Sequence, residues 1–210
     1  SGCTALTNVN FPNTLSSIDN SAFKGCTSLS SLTIPENIYS IEQYAFNECS
    51  SIDTLFWNAK DAQTIESSWF QNSPITCVIF GDSVEKVPEK VCSDFHALNS
   101  VTFSENITSI GSHAFSNCQS LDSIHFPTNL LTIDSWAFND CISLTSVVLP
   151  DNFTNLNSCA FYGCTSLKSI HIPESLLAIG NSAFAACTSL TDIDFSEGLS
   201  TIYDAAFSGC

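Results

Sequence analysis

The 210-residue chain contains no arginine, and its five lysines stand apart at Lys24, Lys60, Lys86, Lys90 and Lys168. Phosphate backbones are held by clustered cations, so nucleic acid is not an expected partner. Against five basic residues stand 21 Asp and Glu, a formal charge of −16 that also opposes anionic membrane surfaces. No apolar run approaches the ~18 residues of a membrane-spanning helix. The opening Ser-Gly-Cys-Thr-Ala lacks the design of a secretion signal, and no membrane insertion is expected within this segment. A nucleophile elbow, a phosphate loop, a zinc-protease helix and a nucleotide fingerprint are all missing. No enzyme activity, cofactor or metal is therefore expected. Glycine and proline are also scarce, at 8 and 7, while 44% of the residues are apolar. Such a chain is able to bury a core and does not read as disordered.

What is present is a repeat. Cys3, Cys26, Cys49, Cys118, Cys141, Cys164, Cys187 and Cys210 all lie at multiples of 23 from the first. Three residues past each such position comes a Leu or Ile, among them Leu6, Leu29, Ile52, Ile75 and Leu98. Six past it comes Val, Leu or Ile, and eight past it Phe, Trp, Ile or Leu. A proline often follows, then an aliphatic residue, then Ile18, Ile41, Ile110, Ile133, Ile179 or Ile202. Seven units close on Ala-Phe, as in Ala22-Phe23 and Ala137-Phe138.

A 23-residue unit is too short to enclose a core, so the units must stack. The Leu-x-x-Ile-x-Phe segment alternates with period two and is stopped by proline, which reads as one short strand per unit. Nine such strands in phase predict a parallel sheet with ~4.8 Å spacing. The Ser-Ala-Phe-x-x-Cys segment has room for a single helical turn, expected on the opposite, convex side. Ile, Ala, Phe and Cys from that arm would point inward to meet the strands.

The order Pro-x-x-Leu-x-x-Ile-x-x-x-Ala-Phe-x-x-Cys-x-x-Leu-x-x-Ile-x-Ile/Phe resembles the Treponema-type, BspA-like leucine-rich repeat family, along the whole chain. The resemblance implies a leucine-rich repeat solenoid of nine units, with the parallel sheet on the concave face. It also implies a cell-surface or secreted adhesin-type protein that binds extracellular matrix, host-surface or neighbouring-cell proteins. The alternative is a structural repeat segment within a larger assembly. Residues 1–210 read as one domain, an excerpt of a longer solenoid, because Ser-Gly-Cys both opens and closes it without a capping unit.

Irregular units occupy about 57–95. After Trp57 the proline is replaced by Asn58, Ile65 arrives one residue late, Trp69-Phe70 stands for Ala-Phe, and phase returns at Asn72, where Cys is expected. The next unit has Val91-Cys92 for Ala-Phe and Phe95 for Cys, an exchange of volume between neighbours. Drift in a tolerated unit and a surface altered for a partner both account for this.

Eleven cysteines would suggest a disulfide scaffold in a short chain without a core. Here the ladder cysteines are expected as free, buried thiols acting as small apolar groups. Cys77 and Cys159 fall outside the ladder, at positions expected to be exposed. Zinc needs converging Cys and His groups, which this spacing does not supply.

Outward rows of a stacked sheet are natural contact surfaces. The row five past each Cys position is mostly Ser and Thr. The row seven past it holds Asn10, Thr33, Phe56, Ile79, Thr102, His125, Val148, His171 and Asp194. Phe56 and Ile79 place adjacent apolar groups on a hydroxylated face, the kind of exposure that marks a contact. They are the expected centre of a protein-binding site, with Thr102, His125, Val148 and His171 along the same row. His96 and His113 sit near the convex turn with no special role expected. A rim of Glu36, Asp82, Glu105, Asp151, Glu174 and Glu197 reads as a solvated edge able to steer a basic partner. Asn37, Asn106, Asn129 and Asn152 lie beside it, as residues tolerant of left-handed turns would. Asn106-Ile-Thr108 and Asn152-Phe-Thr154 make two glycosylation sequons.

Overall fold

Residues 2–66 and 68–210 are described by the computed structural model. The strands in chain order are β1 (Ser17–Ile18), β2 (Ser31–Ile34), β3 (Ser40–Ile41), β4 (Thr54–Trp57), β5 (Thr64–Ile65), β6 (Cys77–Phe80), β7 (Lys86–Val87), β8 (Ser100–Thr102), β9 (Ser109–Ile110), β10 (Thr132–Ile133), β11 (Ser146–Val148), β12 (Asn155–Leu156), β13 (Ser169–His171), β14 (Ala178–Ile179), β15 (Asp192–Asp194) and β16 (Thr201–Ile202). Every pairing is parallel, and almost every register shift is the 23-residue repeat itself, as in Leu32↔Leu55↔Val78↔Val101.

The three- and four-residue strands form a wide sheet in two pieces, β2-β4-β6-β8 and β11-β13-β15, with Ser123 bridging Ser146 between them. Alternation does what the sequence pattern requires: in β2, Leu32 and Ile34 are buried while Ser31 and Thr33 face out. This line is occupied about eight times, by seven strands and one bridge. The molecule is thus a parallel solenoid of about eight turns rather than the expected nine units, because the first unit (8–11) forms no strand.

A second sheet line was not anticipated. The Ser-Ile steps of the return arm form two-residue strands in two narrow sheets, β1-β3-β5 and β7-β9-β10-β12-β14-β16. Two residues carry no period-two signal, so composition alone points only to an inward Ile.

The expected helical turns are absent: no helix occurs among the described residues. Each Ala-Phe segment is instead a run of overlapping turns, such as Ala22 N–H to Asp19 O at 3.2 Å and Cys26 N–H to Phe23 O at 3.1 Å. Left-handed residues interrupt it. Tyr44, His113, Trp136, Cys159, Ser182 and Ala205 have φ between 52° and 63°, and Gly25, Glu48, Asp94 and Gly163 fall four residues further along their turns at 61° to 72°. A right-handed helix tolerates no such residues, and each non-glycine one costs roughly 1–2 kcal/mol. The turn accepts this because it aims three N–H groups per unit at the next unit: His113 to Ser135 O, Phe115 to Ala137 O and Asn117 to Asn139 O, at 3.2, 2.8 and 2.8 Å.

Side-chain ladders run through the core. Phe115, Phe138, Phe161, Phe184 and Phe207 stack with centroids 5.1–5.6 Å apart and planes within 8° of parallel. Phe23 and Phe46 stack in the same way at 5.2 Å. All eleven cysteines are free, with Cys77 and Cys159 half-buried rather than open. Ladder thiols donate to a carbonyl 26 residues back, one unit plus the three residues between Phe and Cys. Cys141 reaches Phe115 O at 3.2 Å, Cys164 reaches Phe138 O at 3.2 Å and Cys187 reaches Phe161 O at 3.3 Å. Burial pushes Cys141 and Cys187 up to about 12 and Cys49 up to about 11.

In the irregular units the ladders exchange members. Trp69, 1% exposed, takes an Ala position, and in the next unit Cys92 stands where a Phe would be. The Trp69 ring meets Phe46, Phe70 and Phe95 at 5.6–5.8 Å, and its indole N–H donates to Val91 O at 3.0 Å. Phase returns later than at Asn72. Asn72 holds the left-handed place with φ 54°, and Ser73, 6% exposed, takes the place of the thiol. The inserted residue is absorbed by shortening the link to Ile75, whose N–H bonds the Ser73 hydroxyl at 3.2 Å.

Phe161→Ala, which empties the middle of the five-ring stack, is expected to lower stability by about 3–5 kcal/mol. A urea midpoint within error of the parent would show that the stack lies outside the cooperative unit. The raised thiols set a second expectation. Their contribution is present in full below the ordinary value of 9.0 and drains away as pH rises towards about 12, because only the unfolded chain releases those protons. The urea midpoint is expected to fall steadily from pH 9 to 11, and a Cys141→Ala, Cys187→Ala variant to lose part of that slope. An equal slope in the variant would refute the assignment.

Candidate protein-binding face

The wide sheet presents its outward row through the strand register. Thr33, Phe56, Ile79 and Thr102 are consecutive Cα partners, so Phe56 and Ile79 sit one strand spacing apart, ~4.8 Å. Period two turns them outward between the inward Leu55 and Trp57 and the inward Val78 and Phe80. Both are half-buried, since bulky neighbours on adjacent strands shield one another. Thr102 is exposed.

The second piece of the row is Val148, His171 and Asp194, again consecutive partners. Val148 is 70% exposed, the highest value among the chain's open large hydrophobic residues. His171 Nδ1 lies 2.9 Å from Asp194 Oδ2, an ion pair when the ring is protonated. His125 is exposed but belongs to no strand, so the row is brought together as two groups with His125 between them. This face is flat. The wide groove of about 550 Å³ lies elsewhere, along the narrow sheet.

The neighbouring rim behaves as separate carboxylates. Glu36 pairs with Lys60 at 3.1 Å, and Glu105 accepts both the N–H and the hydroxyl of Thr128 at 2.9 and 2.8 Å. Among the described residues no three His, Cys, Asp or Glu side chains converge as metal ligands would. The rim asparagines are not left-handed, contrary to expectation. Their amides clamp successive units instead: Asn37 donates to Asn13 O at 2.7 Å, Asn106 to Asp82 O at 2.9 Å and Asn129 to Glu105 O at 2.8 Å. Both sequon residues, Asn106 and Asn152, are exposed.

Two surface features escaped the sequence reading. On the turn side His113 stacks on Trp136 at 6.1 Å, and Trp136 meets Tyr162 at 5.6 Å. Their spacing of 23 and 26 was visible, but an inward position was equally compatible with it. Along the edge of the narrow sheet Leu177 is 60% and Leu131 39% exposed. They share one repeat position with Tyr39, and nothing in their chemistry distinguishes them from core aliphatics.

Comparison with known proteins agrees with this architecture. The profile of the BspA type leucine rich repeat region, in six copies, matches residues 1–98 and 85–210. No curated protein matches the chain. Among solved structures, a Treponema pallidum leucine rich repeat protein, TpLRR, is 24% identical with a TM-score of 0.51, over 93% of this chain and 70% of that one. A leucine-rich repeat protein from Bacteroides ovatus is 20% identical with a TM-score of 0.51, over 100% of this chain and 72% of that one. The pneumococcal vaccine antigen PcpA is 16% identical with a TM-score of 0.52, over 92% and 58%. These neighbours share the fold. With the profile covering the repeats from end to end, the chain belongs to the BspA-type leucine-rich repeat family.

Proposed function

We propose that the chain is a non-enzymatic protein-recognition module that binds through the outward row of its wide sheet, centred on Phe56 and Ile79. The observation that carries this reading is the pairing of those two side chains, partners on four-residue strands, in a four-strand sheet whose other outward residues are Ser31, Thr33, Thr54, Cys77, Ser100 and Thr102. Apolar groups in a polar surround are what recognition patches are built from. Thr102 extends the patch on one side, and Val148 and His171 with its Asp194 partner offer a second contact beyond His125. A flat face of repeated strands suits an extended protein partner better than a small molecule.

The role we assign is adhesin-type, at the cell surface or secreted, with host or neighbouring-cell proteins as ligands. Family membership supports it, and the pneumococcal neighbour, a vaccine antigen, fits display outside a cell. Asn106 and Asn152 are open to glycosylation wherever the cell of origin supplies that machinery.

The test is a pull-down from extracellular-matrix and cell-surface extracts with the chain and with a Phe56→Ser, Ile79→Ser variant. At least one partner is expected to bind about tenfold more weakly to the variant, equivalent to ~1.4 kcal/mol. Equal recovery of every partner would remove this face as the site.

A further inference from the structure

The narrow sheet is interrupted between β5 and β7. Elsewhere along it, the residue after each inward aliphatic donates its N–H to the matching aliphatic carbonyl one unit earlier. Glu42 bonds Ile18 O, Glu66 bonds Ile41 O, Gly111 bonds Val87 O, Asp134 bonds Ile110 O, Asn157 bonds Ile133 O, Gly180 bonds Leu156 O and Tyr203 bonds Ile179 O, all at 2.9–3.2 Å. In the unit after Ile65 that residue is Pro88, which has no N–H. Among the described residues no backbone hydrogen bond joins 62–66 to 85–88. No Cα of β5 lies within 8 Å of a Cα of β7. Paired strands stand ~4.8 Å apart, so the interval is wider than a pair.

The two sides of the opening present complementary backbone groups. On the β5 side are the carbonyls of Gln63 and Ile65, counterparts of Tyr39 O and Ile41 O, which accept from the next unit at 2.9 and 3.2 Å. On the β7 side are the N–H groups of Glu85 and Lys86, counterparts of Tyr39 and Ser40, which donate to Ser16 O at 2.8 and 3.3 Å. Backbone polar groups in this state take up whatever partner reaches them. In front of them lies the groove of about 550 Å³, lined by Asp61, Glu85, Glu89 and Asp134 against Lys60 and Lys86. Lys60 is already paired with Glu36 and Glu89 with Lys90, which leaves Asp61, Glu85 and Asp134 against Lys86 and the lining acidic.

We propose that this opening is a strand-acceptor slot for one short, extended, basic peptide segment, which completes the narrow sheet by parallel strand addition. Its N–H groups bond the Gln63 and Ile65 carbonyls, its carbonyls accept from Glu85 and Lys86, and its cationic side chains face Asp61 and Asp134. A second copy of this chain carries the same −16 charge and is repelled. The slot is separate from the wide-sheet face.

The test titrates the full chain with acetyl-Lys-Val-Lys-Val-Lys-amide and follows backbone amides by NMR. Saturable shifts are expected at Glu85 and Lys86 with a dissociation constant below about 1 mM. The same peptide methylated on its valine nitrogens, which removes donors and keeps charge, is expected to bind about tenfold more weakly. Pro88→Ala restores the missing donor, so the sheet closes and binding falls while the circular dichroism of the chain is kept. The Phe56→Ser, Ile79→Ser variant is expected to bind the peptide unchanged, which separates this slot from the wide-sheet reading. Three results each overturn the proposal: no saturable shift, equal binding of the methylated peptide, or equal binding by a folded Pro88→Ala chain.

Discussion

Everything in this molecule depends on backbone hydrogen bonds that run between units rather than within them. Strand N–H groups of the narrow sheet point to the preceding unit, as Asp134 does to Ile110 O, while turn N–H groups point to the following one, as Phe115 does to Ala137 O. Each unit therefore holds its neighbours from two sides, and none closes upon itself. The left-handed residues follow from this demand. They turn three alternate donors of one segment in one direction, which a helix would have spent on its own carbonyls.

The side chains repeat the same logic. A phenylalanine stacks on the phenylalanine 23 residues away, and a thiol reaches the carbonyl 26 residues back. Cysteine suits that place because it is small and apolar enough for the layer, yet carries a weak donor for the second lone pair of a carbonyl that already accepts the N–H of its own turn, as Phe115 O does from Cys118. Where Ser73 substitutes for it, the hydroxyl accepts from the local Ile75 N–H, and among the described residues it makes no bond to the preceding unit. The same unit lacks the narrow-sheet bond that Pro88 is unable to make. Trp69, with its indole on Val91 O, is the side-chain tie that spans the place where backbone ties lapse.

Function follows from what such a scaffold offers. Repetition makes long faces of equivalent positions, and a site arises where equivalence fails. Phe56 and Ile79 stand between Thr33 and Thr102 as an apolar break, and Pro88 breaks a row of donors, both within the units whose spacing departs from the rule. The continuous sheet β2-β4-β6-β8 passes through these units unbroken, so the irregularity is confined to the other side of the layer and leaves the Phe56 and Ile79 partnership in register.

Much of the fold was legible because its causes are periodic. The 23-residue spacing of Leu, Ile, Phe and Cys set the stacking, the parallel direction, the inward residues and the outward row. The helical turn was misread because Ser-Ala-Phe has helical composition. What forbids the helix is a bond to an alanine 22 residues onward, and no local window contains it. The same holds for the narrow sheet, whose two-residue strands exist only as neighbours of one another, and for Ser73, whose place is defined by the φ of Asn72. Pro88 was visible in the sequence, but its meaning was not, since a missing donor matters only where a particular carbonyl waits for it. The sequence by itself determined which residues repeat and therefore what stacks on what. Only the tertiary structure decided which backbone groups meet, because direction and partnership of a hydrogen bond belong to two units at once.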